Sequence, residues 1–506
     1  MIVPFEEWRP DSPNYGRDLI AVTGCVPLTK ESYGPFYSLS ATSSALGSRC
    51  QGAGSFFDSS NNVNSFAIDS TKIWKLSSGT WSNVSKSGNY TFGSSTTGLF
   101  IQHSTDLNRI IQLGDINTNI QAYTLGVSSL FDDLAAAAPR ARYGALVHPG
   151  IIMVGNTWDS TDGYIQNRVW WHDITNNDPT SWPTIGSAAA EAAQSDLRDL
   201  QFGGPITGLT GPVGGAAAGM VFCRKAVYRM VYAGPPQVYD FFALSYSIGT
   251  PCPNSIVNVR DQVFWWGEDG FYKTDGSGIY PIGTQRVDNY FRSRLDRQYL
   301  HRVYGAADPL AKVVYWAAPD GTNSGGDPAF ILAYNYDLDR WSLPMSAGSL
   351  EFLYSDYSQG VTLDSLDSYG TLDVVPYPLW SPAWQGGGPV LGGFDTNHKS
   401  GSFSGTTSAV IIDGGEFSGD GGIRPRVRGF RPIIDGSSVT PTCTVGYRDT
   451  PYGTVTYDTG TTAGADGVCP LNRSARYMRP RLQLDAGHAA THIYGLEAVL
   501  AEEGTR

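Results

Sequence analysis

The residues with the clearest chemical potential are arginines near the carboxyl end. Beyond Lys399 there is no further lysine, and the cations include Arg424, Arg426, Arg428, Arg431, Arg448, Arg473, Arg476, Arg479 and Arg481. Alternate side chains of a strand share a face, so Arg424, Arg426 and Arg428 are expected on one face of one strand, and Arg479 and Arg481 on one face of another. A planar guanidinium is weakly hydrated and grips a carboxylate or phosphate through paired donors. Three uses fit such a stripe: carboxylates of a neighbouring subunit, phosphates of a nucleic acid, or acidic groups of the same chain. Asp413, Glu416, Asp420, Asp435 and Asp449 dilute it as a phosphate site. Arg424, Arg426, Arg428, Arg431, Arg476, Arg479 and Arg481 are the candidate subunit contacts.

Hydrolysis would need paired carboxylates. Asp69, Glu268, Asp269, Asp337 and Asp339 fall in turns, and a propeller glycosidase could gather two of them at its centre. Turn aspartates more commonly bond local backbone. The fragment SSGTW (77–81) resembles the end of a sialidase Asp-box but lacks its Asp. Seven histidines are scattered. Only His488 and His492 stand four apart, and they fall in a strand region without the glutamate of HExxH. There is no GxSxG and no Walker A, and the Gly-rich run 211–219 does not lead from a strand into a phosphate-binding helix. Nothing here points to an enzyme, a metal or a cofactor.

These residues must be positioned by strands. In 255–296 the side chains alternate through Ile256, Val257, Val259 and Val263 to Trp266. The chain turns at Glu268, Asp269 and Gly270, resumes at Phe271 and Tyr272, and turns again at 275–278. From Val287 the spacing of Tyr290, Phe291, Leu295 and Tyr299 predicts an amphipathic helix over 286–300. Similar strand, turn and strand units recur, closed by Trp81, Trp182 or Trp341, with Tyr280 in the corresponding place. Each is too small to bury its own apolar face, so neighbours must stack. Radial stacking into a β-propeller achieves this and leaves only short edges. A β-sandwich with elaborations is the rival, and a right-handed β-helix would show a far shorter repeat. Further helices are expected at 128–138, ending at Pro139, and at 187–200.

Composition agrees. Sixty Gly, thirty Pro and 12% aromatic residues against 16% charged describe many short strands and tight turns in 506 residues. A formal charge of −12 at pH 7 repels nucleic acid and anionic membranes as a whole. Six dispersed cysteines without CxxC read as buried, reduced thiols. The start, MIVPFEEWRPDSPNYG, has neither the basic nor the apolar region of a secretory leader, which implies folding in a cytoplasm. Sequons at Asn83, Asn89 and Asn472 then carry no meaning.

The chain divides into an extended, Pro-rich arm at 1–50, a propeller with insertions at 51–403, and a small β-sandwich at 404–506. Trp8, Tyr15, Tyr33, Phe36 and Tyr37 make the arm a segment that lies on another surface rather than a solvated tail. The Pro-, Gly- and Trp-rich stretch 377–401 marks a boundary. The expected class is therefore all-β: an irregular β-propeller with helical insertions plus a small C-terminal β-sandwich.

The runs AVYRMVYAGPPQVYDFFALS (226–245), SIVNVRDQVFWWGEDGFYKTDGSGIYPIG (255–283) and YNYDLDRWS (334–342) resemble the packaged-DNA stabilisation proteins, or tail nozzles, of short-tailed bacteriophages. That resemblance implies a structural virion protein made in the host cytoplasm. It would form a homo-oligomeric, six-fold ring below portal and adaptor rings, with a passage for double-stranded DNA. Propellers would project outward, fibres or spikes would dock on the ring, and the host envelope would be met only indirectly. No catalytic residue follows from it. The alternative is a propeller that binds or cleaves glycans, with Trp265, Trp266 and Trp341 stacking on sugars.

Overall fold

In the computed structural model one unit, four antiparallel strands in sequence order, recurs around a common axis. Every residue is described except 1, 14–17, 89, 94–96, 215–216, 322–324, 359–386, 419–423 and 502–506. Among the described residues there are seven blades, at 52–83, 99–133, 140–199, 206–245, 257–281, 304–345 and 352–402. The seventh supplies three strands of its own and takes its outermost from Ser40–Ala45 near the amino end. Opening strands stand together at the axis, and Gly52–Phe57 meets both Leu99–Gln102 and Phe352–Tyr357, which closes the ring. The all-β class, with its propeller, is as expected.

Blade geometry follows from local chemistry. In blade one, Ile73–Ser77 and Thr80–Asn83 are joined by Ser78 and Gly79, at φ 47° and 75°. Positive φ at both central residues is the two-residue turn whose twist matches paired strands. Middle strands are covered on both faces by neighbouring blades. Val313–Pro319 and Pro328–Asn335 of blade six are accordingly buried throughout, and they read as continuous apolar runs rather than alternation.

The closing residues divide. Trp81, Tyr280 and Trp341 all lie on the outermost strand of their blades. Trp182 sits in a loop beyond Gly163–Trp171 and packs edge-on against Trp170. Helix is scarcer than the periodicity predicts. The stretch 128–138 holds turns and the short strand Asp132–Asp133, while 187–200 yields Ala188–Ala193, capped by Ser187, and then the strand Leu197–Asp199. The third helix is Asp288–Arg294, followed by the 3-10 turn Arg297–Arg302. In each case a blade needs a strand or crossover there, and tertiary pairing overrides a weak local preference.

Both chain ends build the second body. Ile2–Pro4, Tyr33–Pro35 and Arg426–Gly436 pair with Ala490–Ala501. In the facing sheet Ala21–Thr23 lies between Arg340–Met345 of blade six and Val410–Asp413. Blade six therefore runs without a break into an eleven-stranded sheet. Trp266, Phe271, Trp316 and Trp341 share one apolar core with Val410, Phe430 and Leu496, and each ring buried there contributes about 1.5–3 kcal/mol. The arm at 1–50 is thus an internal part of its own chain, with Phe5, Trp8 and Tyr33 buried. Tyr15 and much of 377–401 lie outside the described residues.

Candidate functional site

The strand Arg426–Gly436 shifts register between Val427 and Gly429: against Ala490–Ala501 Arg428 is an extra residue without a partner, while on the other side Leu471 and Asn472 fall between the partners of Val427 and Gly429. A bulge re-aims side chains. Arg428 is exposed to solvent while Val427 and Gly429 stay buried, so alternation holds from Arg426 to Gly429 and breaks beyond it, where Phe430 is buried and Arg431 exposed; Arg424 precedes the strand. Arg424 pairs with Asp449, and Arg431 with Glu497 at 2.6 Å. Arg426 Nε donates to Asn472 Oδ1 at 2.7 Å. Arg428 and the exposed Arg476 have no side-chain partner among the described residues. They lie close along the chain to the Arg426 and Ser474 register pair, so one end of the platform presents both.

Arg479 and Arg481 are a correction. Their strand, Tyr477–Leu484, is internal to the large sheet, flanked by Val410–Asp413 and Thr442–Arg448. Both guanidiniums turn to carboxylates of the same chain. Arg481 Nη2 donates to Asp413 Oδ2 at 2.7 Å and covers the Tyr457 ring at 3.6 Å. Buried Arg479 stands 3.6 Å from Glu416, whose carboxylate Arg448 also holds at 2.6 Å. Asp413 and Glu416, which by sequence only dilute the positive stripe, are the partners that remove two arginines from the outward set.

At the propeller axis lies a cavity of about 620 Å³, walled by opening strands of all seven blades. Phe56, Phe100, Tyr143, Leu209, Ile256 and Tyr354 are among its lining residues, and no carboxylate or imidazole is, among the described residues. The turn carboxylates lie elsewhere, in local roles. Asp69 accepts from the amides of Thr71 and Lys72 and from Trp74 Nε1, Asp269 accepts from Tyr272 Oη, Asp337 pairs with Lys312, and Asp339 accepts from Tyr334 Oη. Trp265, Trp266 and Trp341 are buried in blade cores and have no face for a sugar.

His488 Nδ1 accepts from the Ala490 amide, while His492 bonds Ser32 Oγ through Nδ1 and stacks on Tyr494. Among the described residues no group of three or more His, Cys, Asp or Glu is placed to hold a metal. All six cysteines are free and buried. No helix of the described residues is long and apolar enough to cross a membrane.

Sequence reasoning missed a second polar site, between blades one, two and three, where Lys86, Asn119, Asp133 and Arg140 converge. Its members are spread over more than fifty residues with no local pattern. The available signal was Arg140 opposite Trp158, a pairing that becomes visible once strand register is fixed.

No protein-family model and no curated protein matches the chain. Among solved structures, the extracellular domain of a hybrid two-component system from B. thetaiotaomicron aligns at 11% identity and TM-score 0.41, over 86% of this chain and 45% of that one. The chain thus spans less than half the length of that protein. Virginiamycin B lyase from Staphylococcus aureus aligns at 13% identity and TM-score 0.34, over 63% and 93%. A fungal alcohol oxidase aligns at 9% and 0.38, over 93% and 99%. None of these TM-scores reaches 0.5, and the likeness carries no argument about activity.

Proposed function

We propose that the chain is the nozzle subunit of a short bacteriophage tail, a structural protein that assembles into a six-fold ring, seals the packaged genome and then lets it pass. The observation that carries the reading is the unbroken sheet from blade six through Ala21–Thr23 into the platform. It supports a rigid body in which a platform can join a ring while its propeller projects outward. Arg428 and Arg476 supply unengaged charge for carboxylates of a neighbouring subunit, in heterologous contacts that close on themselves. Each contact stabilises the folded subunit by mass action.

Double-stranded DNA would travel inside the ring and not through a propeller. A cavity of about 620 Å³ cannot admit a duplex whose major groove alone is about 12 Å wide and 8.5 Å deep. A net charge of −12 suits a wall that DNA slides past, because each phosphate contact is a point of arrest. Propellers would be the docking bodies for fibres or spikes, an adaptor ring would sit above, and the host envelope would be reached through those partners.

The test is coexpression of the tagged chain with the portal and adaptor proteins of the same phage, followed by native mass measurement. Six copies bound to the adaptor support the reading. A chain that stays monomeric and fails to copurify with either protein ends it. A glycan-cleaving propeller is not favoured, since no carboxylate lines the axial cavity among the described residues and the tryptophans expected to stack on sugars are core.

A further inference from the structure

The geometry points to a binding site for a carboxylate-bearing sugar residue, such as a uronic acid unit of a surface polysaccharide, on the rim between blades one, two and three. It does not rest on the ring, because one chain supplies the whole site. A pocket of about 340 Å³ opens there, walled by amide and hydroxyl side chains and holding Lys86, Asp133 and Arg140.

Asp133 is neutralised in place. Lys86 Nζ stands 2.6 Å from it, and Gln121 Nε2 and Asn119 Nδ2 donate to it at 2.6 and 3.1 Å. The cation left over is Arg140. Its guanidinium lies 4.4 Å from the centre of the Trp158 ring, its partner across the strand pair, and its Nε donates to Asn119 Oδ1 at 2.9 Å. Among the described residues neither Nη has a partner. A guanidinium fixed by a stack and by Nε, with both Nη free, is a fork prepared for a carboxylate. Exposed Asp132 also stands 3.7 Å from Lys86 Nζ, so the two cations and two carboxylates balance, and selectivity for an acid rests on the free fork of Arg140 rather than on a local excess of charge.

The rest of the wall argues for a sugar rather than a bare anion. The volume is within the range of small-molecule sites and far exceeds a phosphate. Thr91, Asn117 and Thr118 offer hydroxyl and amide groups to ring hydroxyls. The Tyr90 ring is backed by Phe92 at 4.9 Å, with its hydroxyl held by Gln121 at 3.0 Å, and it adds a rigid aromatic wall. A monosaccharide in solution and the same residue within a chain share this chemistry.

The experiment is calorimetry and saturation-transfer NMR on the full chain with galacturonic acid, trigalacturonic acid, N-acetylneuraminic acid, galactose and inorganic phosphate. At least one acidic sugar should bind in the millimolar range or tighter, with galactose at least tenfold weaker. Tighter trigalacturonate than galacturonate assigns the site to a polysaccharide, and equal affinity assigns it to single sugars. Arg140→Ala should weaken binding at least tenfold and Arg140→Lys should recover little of it, with unfolding midpoints measured in parallel. Trp158→Phe, which leaves the pocket wall intact, should weaken binding a few-fold. Absence of binding by all three acidic sugars, phosphate binding as tightly as they do, or unchanged affinity in Arg140→Ala overturns the assignment.

Discussion

Arg340 of blade six donates from Nη2 to the Tyr33 hydroxyl at 2.9 Å, and its guanidinium lies 4.7 Å from the centre of that ring. The same buried group donates to the carbonyls of Phe5, Glu6, Thr29 and Lys30. One side chain of the propeller thus satisfies four carbonyls of the amino-terminal arm, which is why that arm is part of its own chain's interior.

Arg340→Ala leaves those acceptors without donors in a dry site, and should cost about 3–5 kcal/mol, the range for breaking one partner of a buried charged network. Arg340→Lys should recover less than half, since an ammonium cannot reach five acceptors in one plane. Urea unfolding of both variants checks this. A loss under about 1 kcal/mol for the alanine variant would remove Arg340 as the tie.

How much of this fold is legible in the sequence depends on range along the chain. Strand pairs such as Arg109–Leu113 with Gln121–Thr124, or Pro328–Asn335 with Arg340–Met345, are local and can be read from alternation and turn residues. The interleaving of Ser40–Ala45 with Lys399–Ser402 cannot, because a pairing across more than 350 residues leaves no periodic trace. At the platform, alternation places Arg479 and Arg481 together correctly but does not say whether their strand is central or at a rim. Alternation agrees with the burial of residues 426–429 and fails just beyond them: the bulge moves each later side chain of the strand to the opposite face, so Arg431 is exposed as Arg428 is, and nothing in RPRVRGF announces it beyond Gly429.

His172 sets an acid limit on stability. It is buried, with Nε2 accepting from the Ile152 amide at 3.1 Å and Nδ1 bonded to the Asp173 carbonyl at 2.9 Å. Burial lowers its pKa to about 4, against smaller opposing effects of Asp173 and Asp178 and a reinforcing one of His103. The folded chain therefore takes up its proton later than the unfolded chain does. Stability should be full above about pH 6.5 and fall by roughly 3 kcal/mol as the pH drops to 4. His172→Gln keeps an acceptor for Ile152 and should flatten that part of the profile in urea melts at pH 7, 5.5 and 4.5. An unchanged slope would assign the acid loss to other groups.

Asp288 has the opposite sign. Its Oδ1 accepts from the Phe271 amide at 3.0 Å, and a Cβ on Gly283 would lie 2.0 Å from the same oxygen, so the carboxyl is closely enclosed. Burial raises its pKa to about 6. Its contribution is favourable below the unfolded value near 4 and is lost as the pH rises through 6. Asp288→Asn keeps the acceptor without the charge, and should raise stability by roughly 2–3 kcal/mol at pH 8 and change little at pH 4. A destabilised variant at pH 8 would mean that the ionised form is held by a favourable contact.

Ring closure has its own weak point at Gly401, opposite Ala41 in the seventh blade. A Cβ there would lie 1.9 Å from the Ser40 carbonyl oxygen. Gly401→Ala should force Ser40–Ala45 away from Lys399–Ser402, with a cost of about 1–3 kcal/mol typical of overpacking. It should also loosen the bond from Trp81 Nε1 to Ser43 Oγ, 3.1 Å long, which ties blade one to the closing strand. Limited proteolysis should then cut near residues 40–45 in the variant and not in the parent. Equal resistance would show that the blade adjusts around the added methyl.

Platform arginines separate folding from assembly. Arg428 and Arg476 are exposed and unengaged among the described residues, so Arg428→Glu with Arg476→Glu should change unfolding stability by no more than about 0.5 kcal/mol, as surface substitutions do. Arg479→Glu is the contrasting variant. It sets a second carboxylate 3.6 Å or so from Glu416 and removes one of two cations at a buried acid, which should cost about 3–5 kcal/mol in the isolated chain. Native mass measurement with the adaptor then reads the second property. If the platform end makes the ring contact, the Arg428 and Arg476 double variant stays folded and fails to assemble. If it assembles as the parent does, the contact lies on another face.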